Sequence, residues 1–169
     1  LFSPNKSSPL TSGKKEYCGI SRKGKNMAVT NDIESLLPHR KPFLFVDEIV
    51  SADNEGSVST RKFTNEDFFF KGHFPEYPVV PGVILIETMA QAGGAALSYQ
   101  KKFKDGSLFF LGTVDKVKFR HQVRPGDTVR MEIKNLRVSE RMVKQSGKAF
   151  VGEELAAEAE WMCLVGSAN

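Results

Sequence analysis

Few residues in this 169-residue sequence are suited to metal or redox chemistry: it has two cysteines, three histidines and one tryptophan. Cys18 and Cys163 lie far apart and neither sits in a ligand-spacing pattern, which argues against a disulfide framework and a zinc site. A reducing compartment is the expected setting. No apolar run reaches the roughly 18 to 20 residues of a membrane span. The longest, after Pro81, is interrupted by Glu87, Gln91, Gly93 and Gly94, so an integral membrane helix is excluded. Internal repeats are also lacking, which removes the solenoid architectures.

Acidic residues are scarce at the start of the chain. Residues 1–26 carry Lys6, Lys14, Lys15, Arg22, Lys23 and Lys25 against Glu16 alone, a net charge of +5. The whole chain carries +4, which leaves −1 for residues 27–169. The pI of about 9.1 therefore belongs to the head, and the remainder offers no generic nucleic-acid surface. The head is rich in Ser, Lys, Gly and Pro and poor in large apolar residues, so a flexible segment is expected there. Its composition fits an organelle transit remnant or an upstream leader before a start at Met27. The domain proper is expected over 27–169.

What remains reads as an α+β chain. Asn31 or Asp32 is placed to cap a short helix through Leu37, stopped by Pro38. "FLFVDEIV" (43–50) and, more weakly, "SVSTRKF" (57–63) read as strands. The stretch from Pro81 to about Gln100 is too long for a strand, and Pro81 suits a first helical position. A helix apolar nearly all round is a buried one, and Gly93 and Gly94 suggest close packing against another backbone. "LFFLGTVDKVKF" (108–119), "TVRMEIKNLRV" (128–138) and "KQSGKAFV" (144–151) favour strands, with "RPGD" as a turn between the first two. "ELAAEAEWMCLV" (154–165) is ambiguous between helix composition and strand alternation.

Two titratable groups stand out. His73 lies in a loop stiffened by prolines and glycines, and Glu87 interrupts the apolar helix. Desolvation favours a protonated carboxylic acid, able to donate, while a neutral imidazole can accept a proton. Together they would supply the general acid and general base of an elimination. The free amides of Gly82 and Val83 at the helix N-terminus offer a place for a developing oxyanion. A structural turn histidine and a hydrogen-bonded structural glutamate remain open alternatives, since fourteen positions separate the two and no single helix face joins them.

Three stretches, "LLPHRKPFLFVDEI", "GHFPEYPVVPGVILIETMAQAGG" and "VDKVKFRHQVRPGD", resemble in that order the signature segments of the Z-type 3-hydroxyacyl-[acyl-carrier-protein] dehydratases. The likeness runs from about Ile33 to Val165. It implies a hot-dog fold, a long central helix wrapped by a curved antiparallel sheet, and hence a strand for the last run. It also implies dehydration of a (3R)-3-hydroxyacyl thioester to the trans-2-enoyl product in type II fatty acid biosynthesis, with no cofactor and no metal. By position the catalytic pair would be His73 and Glu87, contributed by opposite subunits of a dimer; the family often forms trimers of dimers. Glutamate rather than aspartate on the helix fits the Z type rather than the isomerising A type.

On this resemblance, the amides of Gly82 and Val83 would hold the thioester carbonyl. Phe74, Phe109 and Phe110 would line or gate the acyl tunnel, or serve as ordinary core aromatics. Acyl carrier protein, being acidic, would dock on Lys118, Arg120 and Arg124, unless these are only solvated strand charges. His121 stands where relatives often carry a basic residue, and His39 is read as structural. A cytoplasmic setting is expected, with a plastid-like organelle as the alternative. The competing functions are a thioesterase and a non-catalytic acyl-thioester sensor on the same scaffold.

Overall fold

Side chains that alternate between apolar and charged are the main determinant of the architecture. The computed structural model describes residues 30–167 and contains six antiparallel strands and one α-helix. The strands are β1 (Glu48–Ala52), β2 (Gly56–Lys62), β3 (Leu108–Phe119), β4 (Thr128–Ser139), β5 (Met142–Val151) and β6 (Glu154–Gly166). They form a single sheet in the order β1-β2-β4-β5-β6-β3. The helix, α1 (Gly82–Tyr99), lies after β2 in the chain and packs against all six strands. This is the hot-dog arrangement.

Period-two alternation decides which face each strand buries. In β4 Val129, Met131 and Ile133 turn inward, while Glu132 and Lys134 stay exposed. In β6 Ala157, Ala159, Trp161 and Cys163 are buried, while Glu158 and Glu160 face outward. Glu158 pairs there with Lys118 and Arg120, and Glu160 with Lys116. The alternation thus overrides the helix-favouring Ala and Glu of that run. The α1 residues Ile84, Leu85, Met89, Ala92, Ala95 and Ala96 complete the core.

Four local expectations are corrected. The first helix is only a 3₁₀ turn, Ile33–Ser35, and the Asp32 side chain makes no capping bond to it. The strand expected from Phe43 begins at Glu48, because the Gln91 side chain takes the backbone of the preceding segment. The Phe45 amide donates to Gln91 Oε1 (2.8 Å), and Gln91 Nε2 donates to the Phe43 carbonyl (3.0 Å). Pro81 is the residue before the helix rather than its first residue; its carbonyl accepts from the amides of Ile84 and Leu85. Finally, Gly93 and Gly94 pack against side chains, not backbone. A Cβ at Gly93 would stand 2.3 Å from Gln145 Oε1, and one at Gly94 would meet the Phe109 ring and Leu37.

Among the described residues no helix is long and apolar enough to cross a membrane. The head, 1–26, with Cys18, lies outside the described residues.

Candidate active site

A 3₁₀ turn, Phe68–Lys71, leads into the His73 loop and is anchored by the buried rings of Phe69 and Phe70. The His73 amide donates to the Phe69 carbonyl (2.8 Å), and the Val79 amide returns to the His73 carbonyl (3.2 Å). The Val80 amide then bonds the Val123 carbonyl (2.8 Å), which ties the loop to the segment before β4. The ring itself is held at Nδ1, 2.9 Å from the Val79 carbonyl oxygen. A carbonyl oxygen only accepts, so Nδ1 carries a hydrogen, and in the neutral tautomer Nε2 is the acceptor. Phe74 stacks on the imidazole with ring centroids 4.1 Å apart and is itself half-exposed.

The loop delivers the chain into α1, whose first amides have no carbonyl within the helix to bond. Gly82 and Val83 occupy these positions, and Val83 is 70% exposed. A Cβ on Gly82 would lie 2.6 to 2.9 Å from the Phe119 ring, so glycine is what lets that ring pack against the Cα of Gly82.

One and a half turns further on, Glu87 is half-buried, with a side-chain exposure of 23% rather than the full burial expected. It is not isolated. Gln91, one turn later on the same face, donates from Nε2 to Glu87 Oε1 at 2.9 Å. His39 Nε2 faces the same oxygen at 3.6 Å. Cys163 lies on β6 close enough for the Glu87 charge to act on it, and burial and that charge push its thiol up to about 11. Burial holds His39 below the ordinary imidazole value; Glu87 opposes that shift and Arg40 adds to it. Sequence analysis did not place Gln91 beside Glu87, and it read His39 as structural without bringing it to the acid. The i, i+4 spacing from Glu87 was a readable signal for Gln91. None existed for His39, which arrives from a separate segment.

Among the described residues of the single chain, no hydrogen bond or ion pair joins His73 to Glu87. The other candidates divide. Phe109 packs inward on α1 at Gly94 and against Phe103, whereas Phe110 points away and is 55% exposed. Lys118 and Arg120 both approach Glu158, at 3.7 and 2.7 Å. Arg124 belongs to the loop region instead. Its guanidinium lies over the Tyr77 ring (4.5 Å), bonds the Tyr77 hydroxyl and reaches Gln122 Oε1 at 3.1 Å. Exposed His121 lines a shallow cavity of about 520 Å³ together with Arg120 and Arg124. A larger cavity of about 660 Å³ lies among the charge pairs on the outer face of the sheet and includes neither His73 nor Glu87. Among the described residues no group of three or more His, Cys, Asp or Glu is placed to hold a metal ion.

Several known proteins resemble this chain in sequence or in fold. The FabA-like domain model matches residues 37–160. The 3-hydroxyacyl-[acyl-carrier-protein] dehydratase FabZ of Clostridium kluyveri is 41% identical over 139 residues, covering 82% of this chain and 96% of that protein. FabZ of Desulforamulus reducens is 46% identical over 138 residues, covering 80% and 96%. Among solved structures, the dehydratase heterocomplex ApeI:P of Xenorhabdus doucetiae superposes with a TM-score of 0.71 at 16% identity, over 80% of this chain and 91% of that one. The PaaI protein of the E. coli phenylacetic acid degradation operon does so at 0.53 and 15%, over 69% and 80%. These last two likenesses bear on the fold alone, whereas the first two, spanning most of both chains at more than 40% identity, identify the family: the chain belongs to the FabZ 3-hydroxyacyl-[acyl-carrier-protein] dehydratases.

Proposed function

We propose that this protein removes water from (3R)-3-hydroxyacyl chains carried on acyl carrier protein, giving the trans-2-enoyl thioester in fatty acid biosynthesis. One observation carries the assignment of the base: the Val79 carbonyl fixes the hydrogen of His73 on Nδ1 and leaves Nε2 free. His73 Nε2 takes a proton from C2, which the thioester acidifies. The electron pair forms the C2–C3 double bond as the C3–O bond breaks. Glu87, directly or through a water, gives its proton to the departing hydroxyl. The negative charge that builds on the thioester oxygen lies at the Gly82 and Val83 amides, where the helix dipole favours it. His73 then loses its proton and Glu87 regains one, which closes the cycle.

The pair is completed in a homodimer, His73 of one protomer meeting Glu87 of the partner subunit. β3 ends the sheet with an open edge and carries exposed Phe110, Leu111 and Phe119, a surface suited to pairing with a second copy. The acyl chain runs inward past Phe74 and Phe109, with Phe110 on the opposite face of the strand reaching the tunnel only by way of the second copy. Arg124, beside the His73 loop, is better placed to receive acidic carrier protein than Lys118 and Arg120, which share the one Glu158 carboxylate that offsets part of their charge.

The test is to run the reaction in reverse. Purified protein is added to a crotonyl thioester and the loss of its conjugated absorbance is followed. Wild-type activity, with His73→Ala and Glu87→Gln each folded and at least about a thousandfold slower, is the expected result. Release of free thiol without hydration would replace the reading with a thioesterase. Tight thioester binding with no turnover would replace it with a sensor.

A further inference from the structure

Glu87 has two oxygens, and the chain treats them differently. Gln91 Nε2 and His39 Nε2 both converge on Oε1, at 2.9 and 3.6 Å, and among the described residues no hydrogen bond to Oε2 is found. His39 comes from outside the helix, on a segment pinned between buried Leu37 and Leu44. The Arg40 guanidinium fixes this turn further by donating to the carbonyls of Leu37 (2.8 Å) and His39 (2.7 Å). The other imidazole nitrogen, Nδ1, is buried and has no partner. A histidine serving only to hold a turn would bond the backbone through Nδ1; this ring leaves that atom unused and turns Nε2 on the carboxyl group.

We propose that His39 is a positioning residue for the acid: its Nε2–H, with the Gln91 amide, engages Glu87 Oε1 and so confines the transferable proton to Oε2, the oxygen presented to the substrate hydroxyl. The ring is suited to this because burial keeps it neutral, with a single hydrogen to place, and the carboxyl oxygen opposite Nε2 draws that hydrogen there. A cation at this point would instead hold Glu87 ionised and disable it as a donor. The 3.6 Å separation is longer than a made hydrogen bond, and such contacts shorten when substrate closes an active site. The groups that bear on the pair are then Gln91 from α1 and Cys163 from β6 at Glu87, and Arg40, which acts on His39 from the same segment.

This inference rests on the dehydratase reading, and the wild-type hydration assay tests that reading separately. The discriminating pair of variants is His39→Gln and His39→Asn. A glutamine amide reaches the place of Nε2, whereas an asparagine amide reaches only the place of Nδ1. With both variants folded by circular dichroism, His39→Asn should lose about tenfold or more in kcat with KM within about twofold. His39→Gln should keep at least about a third of wild-type kcat. Equal kcat in the two, whether both impaired or both normal, overturns the proposal, as does rescue by asparagine instead of glutamine. If His39→Asn does not fold, a His39→Gln kcat as low as about a tenth of wild type overturns it alone.

Discussion

Cys163 shows how one buried side chain reports its surroundings. It is an apolar-face residue of β6, and its thiol is held up to about 11 by burial first and by the Glu87 charge second. An unfolded thiol releases its proton near 9.0, so over that interval the folded state binds more protons than the unfolded one. The resulting stabilisation is whole below pH 9 and is lost as pH rises through 11. Urea unfolding at pH 8 and at pH 10.5 should therefore show wild type losing about 2 kcal/mol more than Cys163→Ala over the same rise. Parallel losses in the two proteins would count against the placement of this thiol. Gln91 is the other residue whose role is local but decisive. It satisfies the Phe45 amide and the Phe43 carbonyl and still reaches Glu87, so one side chain both ends a would-be strand and holds the acid.

For the elements, the helix and the long strands were legible because their periodicities are strong and local. The runs 108–119 and 128–138 fall on β3 and β4 almost to the residue, and α1 spans Gly82–Tyr99. The glycines of α1 were read less well. Helix propensity alone predicts that Gly93→Ala stabilises by about 1 kcal/mol. The structure reverses that sign, because the added methyl would stand 2.3 Å from Gln145 Oε1. Gln145 is buried and its amide is anchored on Asn135 Oδ1 at 2.8 Å, so it has little room to give way. Gly93→Ala is expected to destabilise by about 1 to 3 kcal/mol, read as a lower urea midpoint. A raised midpoint would mean that β5 yields to the helix more easily than this packing allows.

In the proposed dimer His73 and Glu87, which no hydrogen bond or ion pair joins within one chain, would meet across the two-fold axis. This gives a sharp expectation for mixtures of inactive proteins. His73→Ala and Glu87→Gln homodimers each lack one member of every pair. A mixed dimer places both lesions in one of its two sites and leaves the other intact. After unfolding and refolding in equal amounts, half the dimers should be mixed and activity should return to about a quarter of wild type. No recovery, with subunit exchange verified by mass, would put His73 and Glu87 in the same protomer or in unrelated roles.

By itself the sequence determined the strand and helix periods, the stiff loop around His73, the lone carboxylate on α1 and, through three signature stretches, the family. These are local properties, carried by residues within a few turns or a few alternations of one another. The tertiary structure decided what those residues meet. Gln91 bonds a backbone 48 positions away, His39 turns its ring on Glu87, and Phe109 and Phe110 face opposite ways from one strand. No periodicity encodes such meetings. They follow from how the helix seats on the sheet, where close packing leaves each side chain few places to go.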